Sequence, residues 1–289
     1  MKKLLQFITV LLVSFTAFSQ TARVQVIHNS ADAAAETVDV YLDETLLIPN
    51  FEFRTASPFV DAPAGVAIDL SVAPPNSSGV GDAIYTVEVT LTADETYIVV
   101  ADGIVSDSGY NPSQPFGLQV YPMGREAASN PENVDVLVHH GSTDAPTVDV
   151  VETGVGAGTI VDDISYTEFQ GYLELPAADY VLEIRDETGT VGVAAYGAPL
   201  ETLQLTGVAL VVVASGFLDP SQNSDGPAFG LWAASPAGGP LLELPGAALD
   251  IEDNIISSFS MYPNPAKSTV NINLSGENNS TYKVLISDA

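Results

Sequence analysis

The 289 residues carry 37 Asp and Glu against 8 Lys and Arg, a formal charge of −29, and no cysteine. Such a field repels phosphate backbones and anionic lipid, so nucleic-acid binding is not expected. Without thiols there can be no disulfide framework, thiolate metal site, cysteine nucleophile or lipid-bearing cysteine behind an export signal. The acids are dispersed, which reads first as solubility outside the cell and only second as cation binding.

From the N-terminus, Lys2 and Lys3 precede an apolar run to Phe18, and Ala17 and Ser19 place small residues before a cleavage at Gln20. Residues 1–19 therefore read as a secretory signal peptide. The run is short for a membrane helix, and no later apolar stretch approaches 18 residues, so no transmembrane segment is expected after cleavage.

The mature chain then repeats itself. His28, Ser30 and Asp32, followed by Thr37-Val38-Asp39-Val40, recur as His140, Ser142 and Asp144, followed by Thr147-Val148-Asp149-Val150. Phe53 and Phe59 match Tyr166 and Tyr172, residues 99–103 match 212–216, and Phe116-Gly117-Leu118 matches Phe229-Gly230-Leu231. Matches spread over a hundred residues at a nearly constant offset mark a duplication. Repeats at 20–122 and 134–235, a linker at 123–133 and a second at 236–258 follow from this.

Within the first repeat, strands are expected at 23–27, 38–42, 66–72, 84–91, 97–104 and 116–121. These segments are rich in Val, Ile, Thr and Tyr and are separated by Pro, Gly, Asn and Asp. Residues 86–91 alternate with period two, as a half-buried strand does. Residues 97–101 are apolar throughout, as in a central strand. No segment sustains a period near 3.6. The fold class is all-β: two tandem immunoglobulin-like or transthyretin-like sandwiches.

The opening Val-x-Val-Ile-His-Asn-Ser-Ala-Asp-Ala of residues 24–33, the Tyr172-Leu173-Glu174-Leu175-Pro176-Ala177 element and the Phe-Gly-Leu strand resemble the domain of unknown function 4397 family, over about 22–121 and 134–235. The resemblance implies a secreted bacterial protein, often with tandem copies, and no established activity. At 259–289, Tyr262-Pro263-Asn264-Pro265 followed by the alternating Thr269-Val270-Asn271-Ile272-Asn273-Leu274 resembles the start of a type IX secretion system sorting domain. That resemblance implies a Bacteroidetes protein handled by the type IX machinery and delivered through the periplasm to the outer surface or beyond. The chain stops short of a complete sorting domain.

The candidate chemistry is thin. His28-x-Ser30-x-Asp32 and His140-x-Ser142-x-Asp144 contain the residue types of a hydrolase triad. A strand, however, lays them in a flat row, and neither copy has a strand-to-helix nucleophile elbow. A structural role in the following turn is the better expectation. His139 and His140 face opposite ways on a strand, so they cannot easily share a zinc ion. Asp219, Ser221, Asn223, Asp225 and Gly226 space oxygen donors like a calcium loop but lack its closing Glu. Tyr110, in a loop, leads Trp232, Tyr121 and Tyr196 as a candidate glycan contact. The expected function is a non-enzymatic surface module binding a glycan or protein ligand, with no cofactor other than calcium. A secreted hydrolase or its accessory domain, and a calcium-stabilised spacer, are the alternatives.

Overall fold

The computed structural model describes residues 20–249 and, beyond them, the backbones of two strands. The chain divides into two units, Met1–Ala248 and Leu249–Ala289. No α-helix occurs among the described residues, and none of their helices is long and apolar enough to cross a membrane. The expected signal peptide and the Pro263-Asn264-Pro265 motif lie outside the described residues.

The first repeat consists of β1 (Thr21–His28), β2 (Thr37–Leu42), β3 (Thr45–Glu52), β4 (Thr55–Ala56), β5 (Val60–Pro63), β6 (Ala67–Ala73), β7 (Tyr85–Thr90), β8 (Thr96–Asp102) and β9 (Gly117–Pro122). The second comprises β10 (Asn133–His140), β11 (Val148–Glu152), β12 (Gly158–Ile164), β13 (Phe169–Pro176), β14 (Asp179–Asp186), β15 (Gly192–Pro199), β16 (Ala209–Ser215) and β17 (Gly230–Ala234). In the first repeat β4 and β5 flank β1, which runs parallel to β8, and β9 follows; the other sheet is ordered β3-β2-β6-β7. The second repeats this order as β13-β10-β16-β17 and β12-β11-β14-β15, with β13 unbroken where β4 and β5 are interrupted at Pro58. An immunoglobulin sandwich keeps its first, second, fourth and fifth strands in one sheet. Here the first strand is separated from the second, which leaves the transthyretin-like alternative.

The sequence reading missed β3. This edge strand contains Pro49 and a positive-φ Asn50, and its register with β2 shifts between Val38 and Val40. Proline is tolerated at such an edge because no further strand needs its missing N–H.

Alternation along the inner strands sends side chains into two different cores. Tyr97, Val99 and Ala101 of β8 face the first sandwich, with Val24 and Val26 of β1. Ile98 and Val100 face the other way, joining Ile27, Phe59, Leu137, Val211 and Val213 in a core between the repeats. Leu210 and Val212 of β16 complete the second sandwich. The two repeats are thus four stacked sheets with three apolar layers, and residues 97–101 of β8 and 209–214 of β16 are apolar throughout because both faces are covered.

The stretches expected as linkers are built into this unit as far as Ala248. In the first, Arg125 bonds Asp135 and Glu174 and stacks over Tyr172 at 4.5 Å, while Glu126 takes Arg23. In the second, β18 (Gly239–Pro240) pairs with β4 of the first repeat, and β19 (Leu242–Glu243) pairs with β17 of the second. Gly246 then bridges Tyr196 on the far sheet. Residues 236–248 form a strap across both repeats. In the other unit, β20 (Ile256–Tyr262) and β21 (Asn271–Gly276) pair antiparallel.

A buried polar cluster pins the inner sheets. His139 Nε2 lies 2.7 Å from Asp102 Oδ2, and both side chains are fully buried. Asn29 Nδ2 donates to Asp102 Oδ1 at 2.7 Å and to the carbonyls of Gly141 and Ala214. Gly141 is the second repeat's counterpart of Asn29, and its missing side chain makes the room: a Cβ there would sit 2.1 Å from Asn29 Nδ2 and 2.6 Å from Asp102 Oδ1. Gly141→Ala should therefore cost about 1–3 kcal/mol in overpacking. Urea melts of the 20–248 unit should show one cooperative transition, moved to lower denaturant in the variant. Two separated transitions in the parent would mean that the repeats fold independently.

Candidate functional site

The His, Ser and Asp of the two His-x-Ser-x-Asp motifs are buried, apart from a partly exposed Asp144, and their His and Ser are wired alike. His28 Nε2 donates to the Ala35 carbonyl at 2.7 Å, and His140 Nε2 to that of Pro146 at 3.0 Å. Ser30 Oγ donates to Gly103 O and Ser142 Oγ to Gly216 O. Asp32 accepts from the backbone of Ala34, Val105 and Ser106 and from the Ser106 hydroxyl. Asp144 accepts from the backbone of Leu218 and Asp219 and from Asn223 Nδ2. In a triad the serine hydroxyl bonds the histidine, whose other nitrogen bonds the carboxylate. Here each histidine and serine is turned to a separate backbone carbonyl, with Ser142 Oγ also 3.3 Å from Asp144 Oδ1. The set fastens the turn after β1 to the loop after β8 and the turn after β10 to the loop after β16.

Burial pushes the His28 imidazole down to about 4, with the Ala35 hydrogen bond opposing it. Burial likewise lowers His140. Burial alone would raise Asp32, but the donors from Ala34, Ser106 and Tyr110 hold it below the usual carboxylate range.

The weaker candidates converge on the same end of the molecule, where the loops 103–116 and 216–229 meet. Tyr110 lies on Phe217 with ring centroids 5.6 Å apart, and its hydroxyl accepts from Ala33 N. Asn223 is fully buried; its Oδ1 accepts from Asn111 N, and its Nδ2 donates to Asp144 and the Asp219 carbonyl. Asp219 Oδ1 receives Ser221 N and Oγ. Asp225 is exposed at a positive φ of 51°. Among the described residues no three His, Asp or Glu converge as metal ligands would. Tyr110 and Asn223 thus stitch one repeat's loop to the other's. Arg54 does similar work, bonding Ser215 and the Ala228 carbonyl and stacking over Trp232 at 4.0 Å; burial lowers it to about 10. Neither Arg54 nor Asp102 stood out in the sequence, because each acts on the repeat it does not belong to.

The feature without a counterpart in the sequence reading is a cavity of about 250 Å³ between the two sheets of the second repeat. Val136, Val161, Leu173, Leu175, Leu210 and Val212 are among the side chains lining it, and His140 stands at its edge. The same space in the first repeat is filled, leaving voids of about 10 Å³. Strand pairing identifies the replacements responsible. Phe51, opposite Val38, becomes Ile164 opposite Val148. Tyr85 and Val89, opposite Val72 and Ile68, become Ala194 and Ala198 opposite Ile184 and Tyr180. Leu42 becomes Glu152, whose carboxylate instead caps the backbone of Gly154, Val155 and Ala157. Ile68 grows to Tyr180, Val72 to Ile184, Val60 to Leu173 and Ala62 to Leu175, without closing the space. Left empty, about 250 Å³ costs on the order of 6 kcal/mol at about 24 cal/mol per Å³, comparable to a domain's whole stability.

The domain of unknown function model DUF4397 matches residues 22–151 and 134–219. The chain belongs to the DUF4397 family. No curated protein matches it. Solved structures similar to this DUF4397 chain include one described as alpha-glucan binding by a streptococcal virulence factor, at 9% identity, 66% of this chain, 93% of that one and a TM-score of 0.22. Another, of family 41 carbohydrate-binding modules from streptococcal virulence factors recognising alpha-glucan, stands at 10%, 66%, 93% and 0.22. Superposition at that level says nothing of what this DUF4397 protein binds.

The buried histidine gives a pH signature. His28 sits near 4 in the fold and near 6.5 unfolded, so between those values the unfolded chain binds more protons and stability rises with pH. Lowering pH from 6.5 towards 4 should therefore remove up to about 3 kcal/mol through His28. Urea melts of the parent and His28→Gln across that window check it: the difference between the two should shrink as pH falls.

Proposed function

We propose that the protein is a non-catalytic binding module, exported to the outer surface or beyond it, in which two fused sandwiches act as one rigid body. The observation that carries this reading is the wiring of the His, Ser and Asp motifs. Both histidines donate Nε2–H to backbone carbonyls and both serines donate to other carbonyls. The Nδ1 lone pair that each histidine keeps is buried without a hydrogen-bond partner, so no hydroxyl is presented to it as general-base catalysis requires. Export rests on the basic and apolar N-terminus, and delivery by the type IX machinery on the motif at 262–265. The loops joined at Tyr110 and Asn223 hold the repeats at a fixed angle, so a ligand would meet a preorganised surface and little ordering cost.

Purified protein passed over immobilised polysaccharides and cell-envelope fractions, with calcium or with EDTA, should be retained on at least one fraction. Ester and glycoside substrates incubated with the same protein should be left unhydrolysed. Turnover that His28→Ala or His140→Ala abolishes, in variants still folded by circular dichroism, would overturn the non-catalytic reading. A large EDTA-induced fall in melting temperature would instead favour a calcium-stabilised spacer.

A further inference from the structure

We propose that the cavity in the second repeat is a binding site for a neutral, mostly hydrocarbon ligand. This deepens the reading as a binding module and rests on it. Three observations carry the inference. The first is the contrast between copies: the core of one sandwich is packed to voids of about 10 Å³, its larger hollow being an open groove along β3 and β4, and the core of the other holds about 250 Å³. The difference is written into several substitutions on three strands, not into one lost side chain. Phe51 gives way to Ile164, Tyr85 to Ala194 and Val89 to Ala198, while the strand order and the registers around them are kept. Drift in a core is normally compensated by neighbours that grow, because close packing is what holds a sandwich together. Here some neighbours do grow, Val60 to Leu173, Ala62 to Leu175, Val72 to Ile184 and Ile68 to Tyr180, yet the space stays open, and the Tyr180 hydroxyl is turned to the Pro176 carbonyl.

The second observation is the size and chemistry of the space. Its lining is mostly aliphatic, joined by Tyr180 and Phe229, with His139, His140 and Glu243 as its polar members, and an apolar cavity of about 150 Å³ stays dry and holds benzene. Scaling from those six carbons, the larger volume accommodates roughly ten. It also approaches the lower end of ordinary small-molecule pockets, roughly 300 Å³.

Third, the cavity has a mouth. Leu203, in the turn after β15, and Leu242, in the strap, both line it and are 44% and 54% exposed. The first repeat has no strap along the matching edge; in the second, residues 242–247 run from the β17 edge to the β15 edge and wall that side. The charged groups of this turn and strap are acidic: Glu201 follows Leu200, Asp179 accepts from Glu201 N and Thr202 N, and Glu243 lies on the strap. Arg54, which feels Glu243, is partly buried and spends its Nε and Nη2 on Ser215 and Ala228. With a chain charge of −29, an anionic head group is repelled at this mouth and a neutral one is not. The ligand is therefore an uncharged chain or ring system of about ten carbons, such as a medium-chain alcohol, and not a fatty acid anion.

The probes are n-decanol and n-decanoate, titrated calorimetrically into the purified protein at pH 7.5 and followed by methyl NMR. Decanol should bind saturably with one equivalent and at least tenfold more tightly than decanoate. Methyls of Val161, Leu173 and Leu210 should shift, while those of Val26 and Val99 in the filled repeat stay still. Ile164→Phe with Ala198→Val, which restores the first repeat's residues, should weaken decanol at least tenfold and raise the melting temperature. Leu203→Asp, which leaves the core untouched, should weaken decanol several-fold and serves if the filled variant does not fold. Absence of saturable decanol binding, shifts confined to the surface, or unchanged affinity in the filled variant would overturn the proposal. Retention on an envelope fraction alongside any of these failures would sink the cavity site alone, whereas loss of both would sink the module reading too.

Discussion

Everything in the 20–248 unit depends on the second faces of the two inner sheets being buried against each other. A lone sandwich of this order could leave the outer face of each sheet in water. Here Ile27, Ile98 and Val100 from one repeat and Leu137, Val211 and Val213 from the other form a dry layer between them. Each of these side chains contributes on the order of 1.5–3 kcal/mol by leaving water, so neither repeat can expose its inner sheet without losing a large fraction of a typical domain stability. The apolar layer supplies the adhesion, and the polar groups inside it supply the register. Asp102, His139 and Asn29 satisfy one another only at one alignment of the sheets, and removing any one of them leaves a buried group unpaired.

Duplication explains the architecture, and departures from exact duplication explain its asymmetry. Where the copies are identical, the residues maintain the fold: His28 and His140, Ser30 and Ser142, and Asp32 and Asp144 do the same mechanical work twice. Where the copies differ, they differ in pairs that fit each other. Asn29 meets Gly141, Asp102 meets His139, and Arg54 meets Trp232. Of these only Asn29 and Gly141 are equivalent positions, where identical copies would set Asn against Asn in a space that holds no side chain beside Asn29. Asp102 and His139 stand where the other copy has Ser215 and Ile27. Divergence also hollowed the second sandwich, since the first repeat and the inter-repeat layer hold the unit together while one core thins.

Some of the site was misleading in the sequence for a definite reason. A histidine, a serine and an aspartate at alternate strand positions look like chemistry because residue type alone does not say where a lone pair points. The backbone decided it: the carbonyls of Ala35, Pro146, Gly103 and Gly216 stand closer to these side chains than the side chains stand to each other. The adjacent His139 and His140 were separable from strand alternation alone, and they do face different cores. The strap went unnoticed because Gly, Pro and Ala carry no periodicity, and a two-residue strand such as β18 is stabilised entirely by the edge it joins.

By itself the sequence determined the all-β class, the duplication and most strand positions, because period-two alternation and turn residues are local properties. It also held an unused clue in residues 97–101 and 209–214: an unbroken apolar run belongs to a sheet covered on both faces, which a single two-layer sandwich does not provide. Tertiary structure decided the strand order, the fusion of the repeats, the targets of the buried polar groups and the cavity. Each of these depends on contacts between residues some 30 to 200 positions apart, such as Asp102 with His139 or Gln25 with Ser235. The cavity is the clearest case, since a volume is a property of facing side chains taken together. Ile164, Ala194 and Ala198 are unremarkable as residues, and only the sheet pairing shows that they stand where Phe51, Tyr85 and Val89 fill the other core.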